Sequence, residues 1–312
     1  EVVVTGSYIK GSPTDGASPV EIISRDTIDA LSASTVADIT ANLSINSGSE
    51  NNVDSFTSGA TQGTGNVNLR GLGLTSTLVL LDGKRHTLAG IAANDGSVFV
   101  NTNIIPVNAI ERVEVLKEGA ASVYGSDAVA GVVNYIFRRD FEGIEVDVST
   151  QETDLGGQTD DKVSVILGTP LGNGNLVVAV SSLDRSPLLG TEFNPSLVPL
   201  GISGFGTSFL AFGGGTVDSG PYAGTYSFLE NIPDPDCIAN KGILLPQASG
   251  QRCGFFFGDR FNLVNDEDHL NTYTSFKTEL STGATFSIDY LNSSIDVNDN
   301  YQSPSYLSLI HI

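Results

Sequence analysis

Residues Ile110–Ile136 read IERVEVLKEGAASVYGSDAVAGVVNYI, and this stretch decides the fold of the chain. It opens as a strand that places Val113 and Val115 on one face and Arg112 and Glu114 on the other.

Small residues interrupt the stretch after the first strand. Gly119 ends that strand, and Gly125-Ser126-Asp127 makes a second break before apolar residues 128–133 lead to Tyr135 and Ile136. Two strands joined by so many small residues indicate a backbone that runs through a confined space.

A second informative stretch, Asn66–Arg85, reads NVNLRGLGLTSTLVLLDGKR. Its apolar run Leu78–Leu81 predicts a buried strand, and Asp82–Gly83 is a dipeptide that favours a tight hairpin turn because Gly tolerates positive φ. The glycines at 71 and 73 do not continue into a dinucleotide-binding loop, since Ser76 stands where the third Gly would be and no helical pattern follows.

The residues before this stretch predict one strand and two short helices. Pro19–Ser24 is strand-like, Ser24 is placed to cap a helix through Leu31, and Ser34 is placed to cap a second helix. The second helix is expected to bury the residues that recur at helical spacing, namely Val36, Ile39 and Leu43. Residues 44–66 and 86–103 are polar and aperiodic, which predicts two long loops.

Composition excludes several classes of protein. The 312 residues carry a net charge of −21, and such an acidic chain has no basic patch for nucleic acid. No run of about 18 apolar residues occurs, which excludes a membrane-spanning helix. The chain contains no Met, so Glu1 is expected to be either a processed terminus or a cut.

Two cysteines, Cys237 and Cys253, enclose a short loop that contains Gly. In an oxidising compartment they predict a disulfide, whereas in the cytosol they would be free thiols. Without neighbouring His residues, two Cys cannot complete a zinc site.

From Phe141 onward the pattern changes to long alternating strands. Five segments are apolar at every second residue, beginning at Ile144, Val163, Leu176, Thr274 and Phe286. Such segments are typical of transmembrane β-strands, although a soluble β-sandwich would alternate in the same way. Short connections at 169–175 and 281–284 suit tight turns, and a long insertion at 187–268 separates the third strand from the fourth.

The two glycine-containing stretches, in this order and spacing, resemble the plug domain of TonB-dependent outer-membrane receptors. The resemblance implies an α+β plug domain followed by antiparallel transmembrane β-barrel strands, of which about five are present, so that the barrel of this truncated chain is incomplete. The expected organisation is a TonB-box segment and linker at 1–18, a plug at 19–140, and the first part of the barrel at 141–306, with an extracellular loop at 187–268.

The resemblance also implies a function and partners. It implies active transport of a scarce nutrient, such as an iron chelate, cobalamin or an oligosaccharide, across the outer membrane of a Gram-negative bacterium. The expected partners are the TonB protein with its inner-membrane energising complex, a small-molecule nutrient ligand and outer-membrane lipid. The segment EVVVTG is similar to a TonB box, and its residues are Glu1, Val2, Val3, Val4, Thr5 and Gly6.

Further site residues follow from the resemblance. Arg70 and Arg112 match plug arginines that pair with barrel glutamates, although both could simply be exposed at a sheet edge. Ligand contact is expected at the plug apices, 44–66 and 86–103, and on the aromatic insertion. The candidate ligand-contact residues are His86, Asn94, Asp95, Phe255, Phe256 and Phe257. The alternatives are that His86 is a solvated loop residue and that the aromatics form the local core of a folded loop.

No constellation for catalysis or cofactor binding is visible, so the protein is expected not to be an enzyme and to need no cofactor or metal. Residues 266–268, Asp-Glu-Asp, are expected to be a solvated end of the acidic loop rather than a cation site.

Two other functions stay open: a surface β-rich adhesin whose aromatic loop binds a partner, and a signal-transducing receptor with an additional domain before Glu1. The tail 307–312, LSLIHI, continues no preceding pattern and back-translates to a transposon-type sequencing adapter, which predicts a sequencing artefact.

Overall fold

A computed structural model describes residues 20–51, 61–154, 157–194, 202–203, 208–256, 262–298 and 307–310. It divides into two units, one comprising residues 1–187 with 264–299 and the other residues 188–263 with 300–312. Among the described residues, no helix combines the length and the apolar character needed to cross a bilayer.

The first unit begins with a small α+β domain. Its strands and helices are β1 (Val20–Ser24), α1 (Arg25–Leu31), α2 (Val36–Ala41), β2 (Thr77–Leu81), β3 (Lys84–Arg85), β4 (Ile110–Leu116), α3 (Ala121–Tyr124) and β5 (Gly131–Phe137). Short 3-10 helices lie at Leu74–Ser76, Thr102–Ile104, Val107–Ala109 and Ser126–Ala128. The long loops predicted for residues 44–66 and 86–103 lie mostly outside regular elements where they are described.

The opening stretch forms the centre of this domain's sheet, whose strand order is β1-β4-β5-β2-β3. Strands β4 and β5 pair antiparallel, and β2 joins β5 in parallel. Gly131 begins β5 with φ +144°, and a Cβ built there would lie 2.4 Å from the carbonyl oxygen of Leu116. Only Gly fits such a close approach of two backbones, so the prediction of a confined path is confirmed.

The helix caps show one correction. Ser24 caps α1 as predicted, because its hydroxyl accepts a hydrogen bond from the Thr27 N–H. The second helix is capped by Thr35 and not by Ser34. The reason is a reciprocal pair that only Thr35 can make: its hydroxyl accepts from the Asp38 N–H at 3.4 Å, and the Asp38 carboxylate accepts from the Thr35 N–H at 2.8 Å.

The predicted tight turn joins β2 to β3. Asp82 and Gly83 have φ values of +47° and +75°, and Leu81 pairs with Lys84 across them. Two successive positive φ values are those of the type I′ turn that Asp-Gly favours.

Three long strands follow, β6 (Gly143–Glu152), β7 (Thr159–Leu171) and β8 (Gly174–Arg185). The chain then passes through the insertion, where the elements are β9 (Leu188–Leu189), α4 (Gly190–Phe193), β10 (Ile202–Ser203), β11 (Ser208–Ala211), β12 (Gly215–Val217), β13 (Gly224–Tyr226), β14 (Glu230–Pro233), β15 (Ile243–Pro246), β16 (Gln251–Phe256) and β17 (Asn262–Val264). Two further long strands are β18 (Asp266–Glu279) and β19 (Thr285–Asn298), and β20 (Leu307–Ile310) pairs in parallel with β11.

The five long strands form one antiparallel sheet in the order β19-β18-β8-β7-β6. The five strands predicted from alternation are therefore present. Strand β7 runs on to Leu171 and β8 starts at Gly174, so the connection between them is tighter than the predicted span of 169–175. Strand β18 starts at Asp266, inside the predicted insertion, because Asp266 already pairs with β19 and pairing with β8 begins at Glu267.

The insertion contains a disulfide between Cys237 and Cys253, whose Cα atoms lie 5.8 Å apart. Both sulfur-bearing residues are buried, and the bond closes a loop with a sequence separation of 16. Closing a loop of this size lowers the conformational entropy of the unfolded chain, which raises the free energy of unfolding by about 3 kcal/mol.

Replacing both cysteines, as Cys237→Ser with Cys253→Ser, should therefore lower the free energy of unfolding of residues 188–263 by about 3 kcal/mol. The measurement is the urea dependence of proteolytic cleavage within this unit. Wild-type protein treated with a reductant should show the same loss, and Ser249→Ala, an exposed position in the same unit, should show none. Equal resistance of the double variant and the wild type would contradict the prediction.

Candidate ligand and coupling site

The two predicted apex loops meet at the carboxylate of Glu50. Its Oε1 and Oε2 accept hydrogen bonds from the Asn94 backbone N–H at 2.9 and 3.1 Å, and Oε2 also accepts from the Thr61 hydroxyl at 3.0 Å. One side chain of the first loop thus fixes the backbone of the second, and charge-assisted bonds of this kind are stronger than neutral ones.

Below Glu50, asparagine side chains continue the connection between the loops. The side-chain amide oxygen of Asn101 accepts from the Gly65 N–H at 3.0 Å, and the backbone carbonyl oxygen of Gly65 accepts from the Thr102 N–H at 2.8 Å. The Asn66 side chain accepts from the Glu50 N–H at 2.8 Å. These bonds satisfy backbone groups that no sheet or helix pairs, so the loops are held by side chains.

The structure brings together two of the predicted ligand-contact residues. Asn94 and Asp95 are exposed next to Glu50, and Asp95 accepts a hydrogen bond from the Ser97 N–H at 2.8 Å, which lowers the pKa of that carboxyl. His86 is half-buried at the start of its loop, and its Nδ1 lies 3.1 Å from the carbonyl oxygen of Thr87. An exposed, acidic tip held by backbone bonds can offer hydrogen-bond acceptors to a ligand.

Glu50→Ala should loosen the second apex loop without unfolding the plug. The loss of charge-assisted hydrogen bonds, worth about 1.5–3 kcal/mol, predicts amide exchange in residues 88–100 faster by about tenfold or more. Hydrogen-exchange mass spectrometry measures this effect. Asp95→Ala is the matched control, because Asp95 bonds only within its own loop in the contacts described above, and it should leave exchange at 61–66 unchanged. Unchanged exchange in Glu50→Ala would show that the loops are held in another way.

The two predicted plug arginines have partners on the plug itself. Arg112 pairs with Glu114 of the same strand at 2.8 Å, and Glu114 is almost fully buried. Arg70 is exposed, and its Nη2 donates to the carbonyl oxygen of Ala130 at 2.8 Å. Pairing of either arginine with barrel glutamates stays a prediction.

A different arginine joins the plug to the five-stranded sheet. The Arg139 guanidinium lies 2.8 Å from the Asp82 carboxylate of the β2–β3 turn and 2.6 Å from the Asp289 carboxylate of β19. Asp289 also accepts from the hydroxyls of Tyr273 and Ser275 at 3.2 and 2.8 Å. Burial raises the pKa of Asp82, and the Arg139 charge opposes that shift.

Apolar and polar contacts extend this junction. The ring of Phe137 at the end of β5 stacks on Tyr273 with centroids 4.3 Å apart. Asn271 donates from β18 to the carbonyl oxygen of Asn103 at 2.8 Å, and Asn108 donates from the plug to the carbonyl oxygen of Val180 at 3.2 Å. The contact between the sheet and the plug therefore combines polar groups with apolar packing, since Ile166, Val177 and Ala179 of the sheet are buried in the same hydrophobic cluster as the plug core.

Towards the ends of the strands at which the insertion joins, the sheet buries a charged group. Arg185 on β8 contacts Asp160 on β7 at 2.6 Å and Glu267 on β18 at 3.6 Å, and the His269 ring lies 3.0 Å from Glu267. Glu267 is fully buried. The prediction that residues 266–268 form a solvated acidic loop end is therefore wrong for Glu267, because pairing of β18 with β8 turns this side chain inward opposite Arg185.

Several predicted site residues lie outside what the structure describes. The TonB-box segment, Glu1–Gly6, and Phe257 belong to this group. Phe255 and Phe256 lie in β16, but their side chains fall outside the described part. Within the described ranges, no group of three or more His, Cys, Asp or Glu residues is arranged to hold a metal ion.

The small α+β domain has loops that meet at one end, and long antiparallel strands contact it through both polar and apolar side chains. This arrangement is that of plugged β-barrel proteins. Residues 12–132 match the family model described as TonB-dependent Receptor Plug Domain. These residues are thus similar to the plug domain of TonB-dependent receptors, and the resemblance found in the sequence is confirmed.

Solved structures extend the likeness of fold to the strands. A mutant of the ferric enterobactin receptor PfeA from Pseudomonas aeruginosa, in complex with enterobactin, is 20% identical with a TM-score of 0.51, over 90% of this chain and 33% of the receptor. The siderophore receptor PirA from Acinetobacter baumannii is 17% identical with a TM-score of 0.53, over 89% of this chain and 32% of the receptor. The chain spans about a third of the length of these receptors.

Proposed function

We propose that the protein is a TonB-dependent receptor that takes up a scarce small-molecule nutrient across the outer membrane of a Gram-negative bacterium. Transport, rather than catalysis, is the activity that this fold supports. The nutrient would bind at the plug apices and the extracellular insertion, and energy would arrive through the TonB box.

The observation that carries the proposal is the difference between the two faces of the five-stranded sheet. The face towards the plug carries Glu145, Arg185, Asn271 and Asp289. The opposite face is apolar and strongly exposed: Ile144, Val146 and Val148 on β6 are 70%, 60% and 69% exposed, and Phe286, Ile288 and Tyr290 on β19 are 49%, 58% and 59% exposed.

This difference between the faces distinguishes a membrane sheet from a soluble sandwich. A sandwich buries its apolar faces against each other and exposes its polar faces to water. Here the face towards the plug carries these charged and amide side chains beside buried apolar ones such as Ile166 and Ala179, while the opposite face leaves a row of apolar side chains exposed. Exposed apolar side chains on the outer face are the pattern of strands that face lipid outside and a plugged lumen inside. The match of residues 12–132 to the plug family also argues against an adhesin, which has no use for a plug.

Coupling to TonB would act through the segment Glu1–Gly6, which precedes the first plug strand, β1. An extended segment of β-prone residues can add to the edge of a partner's sheet. Force applied there would pass to β1 and then to β4, with which β1 pairs along its whole length, and so to the centre of the plug sheet. The polar junction around Arg139 is placed to hold the plug until such a pull.

Two measurements test the proposal on the complete receptor. Cell fractionation should place the protein in the outer membrane, and uptake of its nutrient should stop when tonB is deleted or when Val2, Val3 and Val4 are replaced by Pro, which cannot pair as a strand. Replacing the nearby Ser7 and Lys10 by Pro is the matched control and should preserve uptake. A soluble product, or uptake that is independent of TonB, would contradict the proposal.

A further inference from the structure

The insertion contains an open cavity of about 410 Å³. That volume lies in the range of small-molecule sites, roughly 300–1,000 Å³. Residues of strands β13, β14 and β15 and of the connections between them line the cavity, among them Tyr222, Tyr226, Glu230, Asp234 and Cys237.

The aromatic wall of this cavity is held in place. The Tyr226 hydroxyl donates to the carbonyl oxygen of Tyr222 at 2.8 Å, which fixes the spacing between the two tyrosines. Phe209 packs edge-on against the ring of Tyr222, with centroids 5.0 Å apart and planes at 85°. The disulfide ties another lining residue, Cys237, to Cys253 of β16. A site that is rigid before binding loses less entropy when a ligand enters.

The polar groups of the cavity are acidic and also held in place. The Glu230 carboxylate accepts from the Ser227 N–H at 2.7 Å, and the Asp234 carboxylate accepts from the Asp236 N–H at 2.8 Å. Burial, and then the charges of Asp234 and Asp236, raise the pKa of Tyr222, so its phenol remains a protonated hydrogen-bond donor. The described residues that line the cavity include no Lys or Arg, and the field of its carboxylates therefore disfavours anions.

We infer that this cavity binds an uncharged, hydroxyl-rich ring ligand of the saccharide type. The apolar face of such a ring can stack on a tyrosine, while pairs of ring hydroxyls donate to fixed carboxylates. A carboxylated or phosphorylated ligand would instead meet Glu230 and Asp234 without a compensating cation. The inference deepens the proposed function, on which it rests, because uptake receptors gather their nutrient on the external loops.

Isothermal titration of the full chain in detergent with maltotriose, cellotriose and xylotriose tests the inference, with trigalacturonic acid as the charged counterpart. At least one neutral trisaccharide should bind and the charged one should not. Tyr222→Ala should weaken that binding about five- to tenfold, the effect of losing one aromatic contact. Phe228→Ala is the matched aromatic control, since Phe228 is 63% exposed and does not line the cavity.

Two further variants keep the test informative if Tyr222→Ala disturbs the fold. Tyr222→Phe retains the ring and its contact with Phe209, and it should weaken binding less than Tyr222→Ala. Asp234→Asn should reduce the discrimination against trigalacturonic acid, with Glu230 left to maintain the rest. Failure of all three neutral sugars to bind, tighter binding of the charged sugar by the wild type, or saturable binding of a cation such as Ca²⁺ at this cavity would each overturn the inference.

These outcomes are separable from failure of the proposed function. If uptake of another nutrient proves to depend on TonB while the sugars do not bind, the receptor function stands and the cavity assignment fails. If the sugars bind at this cavity and no TonB-dependent uptake is found, the saccharide site stands without the transport role.

Discussion

Arg185→Met should lower the free energy of unfolding of the five-stranded sheet by about 3–5 kcal/mol, the range found when one partner of a buried ion pair is removed. The Arg185 side chain contacts the carboxylates of Asp160 and Glu267, at 2.6 and 3.6 Å, and all three residues are buried. Met fills a similar volume but leaves two carboxylates without their cation. The urea midpoint of the chain folded in detergent micelles measures the loss.

Two further variants separate charge from packing at this position. Arg185→Lys keeps the positive charge but cannot make the paired contacts of Nε and Nη2 with Asp160, so its loss should be smaller than that of Met. Adding Asp160→Leu and Glu267→Leu to Arg185→Met should recover most of the stability, because a buried ion cluster can be replaced by apolar groups of similar volume. If the triple variant is less stable than Arg185→Met alone, the charges are not the cause.

Local chemistry explains why much of this fold could be predicted. The alternation in each long strand depends on adjacent residues, and the turn at Asp82–Gly83 depends on two residues that accept positive φ. The same holds for the helix cap at Ser24. These features need no information about distant parts of the chain, and the structure agrees with all of them.

Pairs within one hairpin could also have been predicted, although they were missed. The two-residue connection between Leu171 and Gly174 fixes the register of β7 and β8, and counting back along both strands places Asp160 opposite Arg185. Opposite charges at facing positions of an inward face indicate an ion pair.

Contacts across the long insertion could not be predicted in this way. Glu267 meets Arg185 only because β18 returns to β8 after the insertion, and no turn sets that register from the sequence.

The contact between Glu50 and Asn94 joins two aperiodic loops, and the Arg139 junction joins the plug to a strand 150 residues further on. Register across long connections depends on tertiary packing, which local periodicity does not encode.

Arg139→Leu should destabilise the contact between plug and sheet by about 3–4 kcal/mol at neutral pH. The variant leaves Asp82 and Asp289 facing each other without the guanidinium that now lies 2.8 and 2.6 Å from them. Lys84 remains 3.4 Å from Asp289 but is largely exposed, so it screens the pair weakly. Arg85→Leu is the matched control, because Arg85 and its partner Asp127 are about half-exposed, and it should cost no more than about 1 kcal/mol.

The pH dependence of Arg139→Leu tests whether charge is the cause. Burial already raises the pKa of Asp82 above its ordinary value of 3.8, and loss of Arg139 removes a charge that opposes this rise. A carboxyl whose pKa is higher in the folded protein than in the unfolded chain stabilises the fold fully at a pH below the unfolded pKa. This stabilisation is lost as the pH rises through the pKa of the folded protein. The deficit of the variant should therefore be largest at pH 7 and shrink as the pH falls towards 4. Adding Asp82→Asn to Arg139→Leu should reduce this dependence, whereas a deficit of equal size at both pH values would show that Arg139 acts by packing.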